Sequence, residues 1–289
     1  MLKLGQLTSK VTGLFPKQQV VFWFSSRELL VSYQQRKKRI TLDKNSGFAL
    51  GQINDQAQAV STISEVLHQA KLLGDNPLKQ LTATVFVSST SSPLERSIIK
   101  KTFRQAGLSK VSLVTYATAL RSFASRQNMQ AGVGIYVGQD LGEALVFSPQ
   151  DQAVFSLDYS LQQVVQELQS LLREQQKLEV SLEAAMELYL ALAKQPSNYT
   201  IRGRNIQTQE VGTSTLSNQD LEQLLSFFRQ KLELELRPLV SSALFQELSP
   251  ENWLIVGDPV FNSVVRDKFQ GKTLFLSLVE EVIQGVQWL

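Results

Sequence analysis

Two carboxylates in one short segment are the residues whose type and spacing could do chemistry. Asp140 and Glu143 lie within residues 135–148, a run that predicts a strand, a tight turn and a second strand. Carboxylate oxygens are ligands that Mg²⁺ prefers. The pattern, however, places Asp140 in the turn itself and Glu143 on the solvent side at the start of the second strand. We therefore expect no metal site in this hairpin.

Other familiar site chemistries are excluded by residue counts. The chain has no cysteine and a single histidine, His68, so thiolate sites, disulfides and histidine clusters are absent. His68 lies in a helical pattern, which indicates a structural position. A triphosphate site needs backbone N–H groups presented by glycines, a cation and carboxylates for Mg²⁺. The sequence has no Walker motif and no GxGxxG motif.

Composition indicates a globular protein of one large or two ordinary domains. Of 289 residues, 43% are hydrophobic and 19% are charged, and the net charge is +3. This mild basicity does not by itself indicate a nucleic-acid partner, and none is predicted. The one dense basic run, Arg36 to Arg39, lies between two strand-like segments and predicts a solvated hairpin turn. The alternative for this run is contact with an anionic membrane or nucleic acid.

The elements that must position these residues follow one pattern twice: a strand meander and then βα units. This order predicts an α/β fold with two similar halves, in which mixed sheets are flanked by helices. Predicted strands are residues 20–24, 29–33, 39–42, 47–51, 81–87, 111–114, 135–137, 144–147, 199–206, 210–213, 253–256 and 273–276. Predicted helices are residues 57–73, 93–106, 118–126, 161–174, 181–193, 218–244 and 279–288, with a loop and helix over 258–269.

Three further segments have a distinctive pattern of residue types. Residues 85–96 predict a strand, a turn and a helix start that includes Glu95-Arg96, and residues 106–114 predict a helix end and the next strand. Ile201-Arg-Gly-Arg-Asn205 is followed by Thr-Leu-Ser-Asn at residues 215–218. These segments resemble the family of MreB, the bacterial actin that determines rod shape, and the last is the most specific match. The hairpin at 135–148 has the shape of the second phosphate-binding hairpin of actin-like ATPases.

The resemblance implies an actin-like fold with ribonuclease H-like duplicated halves. It implies domain I over residues 18–132 with a C-terminal helix at 277–289, and domain II over residues 133–276. Residues 51–57 lack the loop and strand that the family places there, so the first small subdomain is expected to be trimmed. Because that subdomain makes filament contacts in MreB, ordinary polymerisation is in doubt.

The resemblance also implies a nucleotide site, and the chain departs from the family at each of its loops. Tyr136 stands where the family has the aspartate that holds a magnesium-bound water. Trp23 stands where the family has the aspartate of its first phosphate-binding hairpin. Thr115 and Tyr116 replace two glutamates, and Met186 and Leu188 replace a lysine and a glutamate near the adenosine. The degenerate positions are Trp23, Ser25, Ser26, Thr115, Tyr116, Tyr136, Gly138, Gln139, Asp140, Gly257 and Asp258, with Pro259 in the last loop. We expect bulky side chains to close this site, with Tyr136 as a plug, and we expect no catalytic residue, metal or cofactor.

The first 17 residues predict an amphipathic segment that Pro16 ends. One face of a helical wheel carries Met1, Leu4, Leu7, Val11, Leu14 and Phe15. This pattern is typical of helices that lie in a membrane interface, and the alternative is packing on the chain's own domain or a frayed terminus. No signal peptide and no spanning helix is predicted, so we expect a cytoplasmic protein that this segment could hold peripherally at the inner face of the cell membrane.

These observations favour a non-catalytic MreB-like cytoskeletal or scaffolding protein in cell shape or division. It would assemble with itself or bind another actin-like filament at the membrane. One alternative is an active MreB-type ATPase with nucleotide-dependent filaments, which would use ATP and Mg²⁺. Another alternative is a peptide-binding adaptor of a pilus machine, similar to PilM.

Overall fold

The computed structural model describes residues 18–33, 36–49, 51–70, 72, 81–192, 194, 196–257, 261 and 272–276. The predicted segments at 1–17, 258–260, 262–271 and 277–289 lie outside the described residues. The described chain divides into two compact units that meet in sequence between Ala119 and Leu120. Within the described residues, no helix is both long and apolar enough to cross a bilayer.

The first unit is built on a five-stranded mixed sheet. Its strands are β1 (Gln18–Phe24), β2 (Glu28–Tyr33), β3 (Arg36–Thr41), β6 (Leu81–Val87) and β7 (Lys110–Thr115), in the order β3-β2-β1-β6-β7. β1, β2 and β3 pair antiparallel, whereas β1, β6 and β7 are parallel. A two-stranded hairpin of β4 (Phe48–Ala49) and β5 (Gln52–Ile53) precedes α1 (Gln56–Gln69), and α2 (Pro93–Gln105) joins β6 to β7. α3 (Tyr116–Arg126) follows β7.

The core of this unit lies between one face of the sheet and helices α1 and α2. Val20, Phe22 and Val85 point from the sheet to Ile63 of α1 and Phe103 of α2, and all five side chains are fully buried. The Phe22 and Phe103 rings meet edge to face with centroids 5.0 Å apart. Such aromatic pairs contribute about 0.5–1.5 kcal/mol beyond their buried area.

The second unit repeats the same sheet. Its strands are β8 (Gly132–Val137), β9 (Gly142–Phe147), β10 (Gln152–Leu157), β14 (Asn252–Val256) and β15 (Lys272–Leu276), in the order β10-β9-β8-β14-β15. The first three strands are again antiparallel, and β8, β14 and β15 are again parallel. The prediction of an α/β fold with duplicated halves is therefore confirmed.

The two units differ in the elements that come after the meander. The second unit inserts a small sheet of β11 (Leu178–Glu179), β12 (Asn198–Asn205) and β13 (Val211–Ser217) among α4 (Leu161–Gln175), α5 (Leu182–Leu192), α6 (Asn218–Val240) and α7 (Ala243–Leu248). At the corresponding place in the first unit, the described residues form the two-stranded β4–β5 hairpin and no further sheet. The expected trimming of the first small subdomain is confirmed.

Capping boxes fix where three of the helices begin. The hydroxyls of Ser92, Ser160 and Ser217 accept the N3 backbone N–H of α2, α4 and α6, and the N3 side chain bonds back in each case. Each box satisfies N–H groups that a helix start otherwise leaves unpaired. Ser217 stands directly before residue 218, where the sequence predicts α6 to begin.

Three predictions about these elements are wrong. Arg36 to Arg39 do not form a turn; they belong to β3, which pairs with β2 from Tyr33↔Arg36 onward. β3 is an edge strand, so its charged side chains remain in solvent. Glu143 does not face solvent: it is 1% exposed, in a strand that lies between β8 and β10 and whose six residues are all buried. The helix predicted to reach residue 244 ends at Val240, where a turn separates it from α7.

Candidate functional site

The predicted site residues of the first unit lie at the carboxyl ends of β1 and β7. Both strands run parallel in the same sheet, so their ends share one edge. Trp23 is 5% exposed and the following turn contains Ser25 and Ser26. This places an indole and two hydroxyls where the resemblance implies a carboxylate and a glycine.

The turn after β1 uses its own backbone N–H groups. The Ser25 hydroxyl accepts hydrogen bonds from the amides of Arg27 and Glu28, at 3.2 and 3.0 Å. The Ser25 amide donates to the Glu28 carbonyl at 2.8 Å. Backbone N–H groups bind phosphate only when they are free to point at it. Three amides of this turn are therefore already engaged.

Thr115 and Tyr116 have structural roles at the start of α3. The Thr118 amide donates to the Thr115 hydroxyl at 3.2 Å, so Thr115 acts as a helix cap. The two threonine hydroxyls are 2.8 Å apart. Tyr116 is buried, and its ring centroid lies 5.8 Å from that of Phe86. Neither side chain is a carboxylate that could orient water.

In the second unit, Tyr136 folds over the turn that follows its own strand. A Cβ on Gly138 would lie 2.3 Å from the Tyr136 phenol oxygen and 2.7 Å from the ring carbon that bears it. Tyr136 is 3% exposed. The glycine at 138 is thus required by the tyrosine ring that lies against it, because no side chain fits between them.

The same turn is tied to the start of α4. The carbonyls of Gly138 and Gln139 accept the amides of Leu161 and Gln162, at 3.0 and 2.9 Å. The Ser160 hydroxyl accepts the next amide of the helix. A helix N-terminus attracts anions through such unpaired amides, and here protein oxygens occupy them. The buried Nε2 of Gln139 has no hydrogen-bond acceptor among the described residues.

A second glycine of this unit is covered in the same way. Gly257 follows β14, whose end pairs in register with Tyr136 of β8. A Cβ on Gly257 would lie 2.5 Å from a carbon of the Phe261 ring. Phe261 is fully buried, and sequence reasoning missed it because a lone phenylalanine carries no site signal.

The remaining predicted positions are not all brought together. Leu188 of α5 is in the hydrophobic core of the second unit, and Met186 packs against that core. Asp140 lies in the turn before β9, and Asp258 lies outside the described residues. Glu143 pairs in register with Tyr136 across the hairpin. Among the residues that the structure describes, no cluster of three metal-ligating acids, histidines or cysteines occurs.

No family model and no curated protein matches this chain. Solved structures do match. MreB5 of Spiroplasma citri, in a crystal structure bound to ADP, is similar over 94% of this chain and 95% of its own, with a TM-score of 0.76 and 14% identity. A MamK double helical filament matches over 93% of this chain and 97% of its own, with a TM-score of 0.65 and 11% identity.

EutJ, an ethanolamine utilization protein of Carboxydothermus hydrogenoformans, matches over 94% of this chain and 90% of its own. Its TM-score is 0.56 and its identity is 13%. At such low identities the similarity concerns the fold. Together with the duplicated sheet topology, these matches identify the fold of this chain as that of the bacterial actins, of the MreB type.

Proposed function

We propose that this chain is a non-catalytic actin-like protein that acts as a cytoskeletal or scaffolding component in cell shape or division. It assembles with itself or binds another actin-like filament at the membrane, and it does so without hydrolysing ATP. The observation that carries this proposal is the Tyr136 ring packed against Gly138. In this position the ring takes the space in which a phosphate would approach the turn backbone.

The neighbouring hydrogen bonds support the same conclusion. Binding a triphosphate would require amides that now bond to Ser25, to the Gly138 and Gln139 carbonyls and to Ser160. Breaking each such bond without an equally good replacement costs about 0.5–1.5 kcal/mol. Hydrolysis would also need a group that orients water, and Thr115 and Tyr116 are engaged in capping and packing.

Self-assembly is supported by the fold, since a MamK of the same fold forms a double helical filament. The membrane part of the proposal depends on the amphipathic face of residues 1–17, which lie outside the described residues. The exposed cationic strand β3 adds charges that an anionic lipid surface attracts.

The test combines thermal unfolding with sedimentation, each with and without Mg-ATP. We expect a shift in Tm below about 1 °C, because a ligand present at 100 times its Kd would stabilise by about 2.7 kcal/mol and shift Tm by several degrees. We expect equal pelleting in both conditions. A shift in Tm of several degrees that Tyr136→Arg abolishes would overturn the proposal.

Liposome flotation tests the membrane part of the proposal. Removal of residues 1–15 should reduce flotation with anionic liposomes, and equal flotation would show that this segment is not a membrane anchor.

A second candidate function is an ATP-dependent filament. It is favoured by the buried Gln139 Nε2, which has no acceptor among the described residues and would donate to a ligand oxygen. Pelleting that requires ATP, together with the thermal shift described above, would select this function.

A further inference from the structure

Two edge strands of this protein expose most of their side chains, and they differ sharply in charge. Five of the six residues of β3 and five of the seven residues of β13 are exposed. β3 carries four basic residues in succession, whereas residues 211–217 of β13 carry no charge and no proline. Charges and prolines are what proteins place on an edge to prevent another strand from pairing with it. β13 has no such protection.

Three residues of β13 direct their backbone groups away from β12. The Asn205 amide donates to the Glu210 carbonyl at 2.9 Å, which makes this the hydrogen-bonded pair next to the turn. Bonded and non-bonded pairs alternate along an antiparallel ladder. In the register of β12 with β13, residues 211, 213 and 215 are therefore opposite non-bonded partners.

Two contacts agree with this assignment. Thr200 and Thr215 are register partners, and their hydroxyls are 3.2 Å apart, as the closer approach of a non-bonded pair allows. Ser217 is next in the same alternation, and its outward amide donates to the Asp220 carboxylate at 2.8 Å. Beyond that cap, the N–H and C=O groups of Val211, Thr213 and Thr215 have no partner strand within the described part of the chain.

We propose that the β13 edge pairs antiparallel with β13 of a second copy of this chain, about a two-fold axis at Thr213. In this register, residue 213 meets residue 213 of the second copy, and residue 211 meets residue 215. The three outward residues of each copy then form one ladder in which every N–H and C=O is paired. The pairing goes beyond the proposed function, because it joins two copies with or without a filament.

A second copy fits this edge for chemical reasons. A residue on a two-fold axis meets itself, so a charge at the axis would repel its own copy. Thr213 is neutral and β-branched, and threonine pairs across strands are favourable. Val211 is 65% exposed and would be covered by the methyl group of Thr215 in the second copy.

Nearby charges do not oppose the contact. Arg202 and Arg204 lie on β12, one strand inward, and both are exposed. Each Arg202 would be three strand spacings from its counterpart, about 14 Å. This exceeds the Debye length of about 8 Å at physiological salt, so their repulsion is largely screened.

The contact is short, so an isolated pair binds weakly. Three paired residues per copy bury far less than the roughly 1,200 Å² of a stable interface. When many copies are held side by side, each pairing becomes intramolecular and its effective concentration rises to the millimolar range. The edge is therefore suited to lateral contact between assembled chains.

Cysteine cross-linking tests the register directly, because the chain has no native cysteine. In Thr213→Cys the two Cα atoms would be about 5.5 Å apart, within the range that a disulfide spans. The matched control is Thr200→Cys, an exposed threonine on β12 whose counterpart would be more than about 14 Å away. Under mild oxidation at high protein concentration, we expect at least ~10-fold more disulfide dimer for Thr213→Cys.

A charge variant gives an independent readout. Thr213→Lys places two cations together at the axis, and we expect the dimer Kd in sedimentation equilibrium to rise at least ~10-fold, with Thr200→Lys unchanged. Equal cross-linking of the two cysteine variants, or an unchanged dimer Kd in Thr213→Lys, would overturn the inference. The β13 edge would then stay free or receive a strand from another protein. If Thr213→Cys cross-links but the protein does not pellet, the β13 pairing stands and the proposed assembly fails. If the protein pellets but Thr213→Cys does not cross-link, the proposed assembly stands and the β13 pairing fails.

Discussion

The contact between Tyr136 and Gly138 predicts a strong dependence of one substitution on the other. In Gly138→Ala the new methyl group would lie 2.3 Å from the phenol oxygen. Ordinary non-bonded contacts need about 3.5 Å, so the ring must move by roughly 1 Å in a packed site. Overpacking of this kind typically costs about 1–3 kcal/mol. We expect Gly138→Ala to lower the free energy of unfolding by about 2 kcal/mol.

The same substitution should be harmless once the ring is removed. The structure records no positive φ at Gly138, so alanine can adopt its backbone conformation. In a Tyr136→Ala background we expect Gly138→Ala to be neutral or to stabilise by up to about 1 kcal/mol, through the lower entropy of the unfolded chain. The coupling free energy in the double-mutant cycle is then about 2–3 kcal/mol.

Urea denaturation of the four proteins measures this coupling. Gly212→Ala is the matched control, because no atom lies within 4 Å of its Cβ position, and it should change stability by less than about 0.5 kcal/mol. If Gly138→Ala cost the same free energy with and without the tyrosine, the ring would not be what requires glycine at 138. A glycine kept for close approach of a ligand would then be the better explanation.

Two further substitutions address turns and caps. Ser25→Ala leaves the amides of Arg27 and Glu28 without their hydrogen-bond acceptor. We expect it to lower the free energy of unfolding by about 1 kcal/mol, as measured by urea denaturation. An unchanged midpoint of urea unfolding would contradict this role of the Ser25 hydroxyl. Hydrogen bonds from the Ser217 hydroxyl and amide lower the pKa of the Asp220 carboxyl in the folded protein. The ionised carboxyl therefore contributes to stability above the pKa of the unfolded chain, near 3.9, and this contribution is lost as pH falls through the lower pKa of the folded protein. We expect Asp220→Asn to be less stable than the parent at pH 6, with the difference shrinking below pH 4; a difference that is constant with pH would refute the assignment.

The sequence predicts the central strands well and the edges poorly. The strand predicted at 81–87 has these bounds in the structure: five of its seven residues are apolar and six of the seven are buried, as is typical of a central parallel strand. The run from Arg36 to Arg39 is depleted of strand formers, and only its place at a sheet edge makes it a strand. Local residue propensity does not predict an edge strand, because the position of a strand in the sheet depends on which other strands pair with it.

The candidate site shows the same division. Substituted positions such as Tyr136 are visible as side chains of the wrong type for binding phosphate. Where the Tyr136 ring lies, and which amides the Ser25 hydroxyl occupies, depend on turn geometry that residue types alone do not specify. Glu143 lies in a strand that has neighbours on both sides and is buried throughout, and the periodicity of β9 alone does not predict this environment.

The two sheets, though alike in strand order, are completed at different times during synthesis. The first sheet has all five strands once residue 115 has been made, whereas β8 of the second sheet, which ends at Val137, must wait for its partner β14, which ends at Val256. At about 5–20 residues per second, this interval of 119 residues lasts roughly 6–24 s. Throughout it, the inner edge of β8 is an unpaired apolar strand on a nascent chain. Chaperone dependence of this protein should therefore concentrate on its second half.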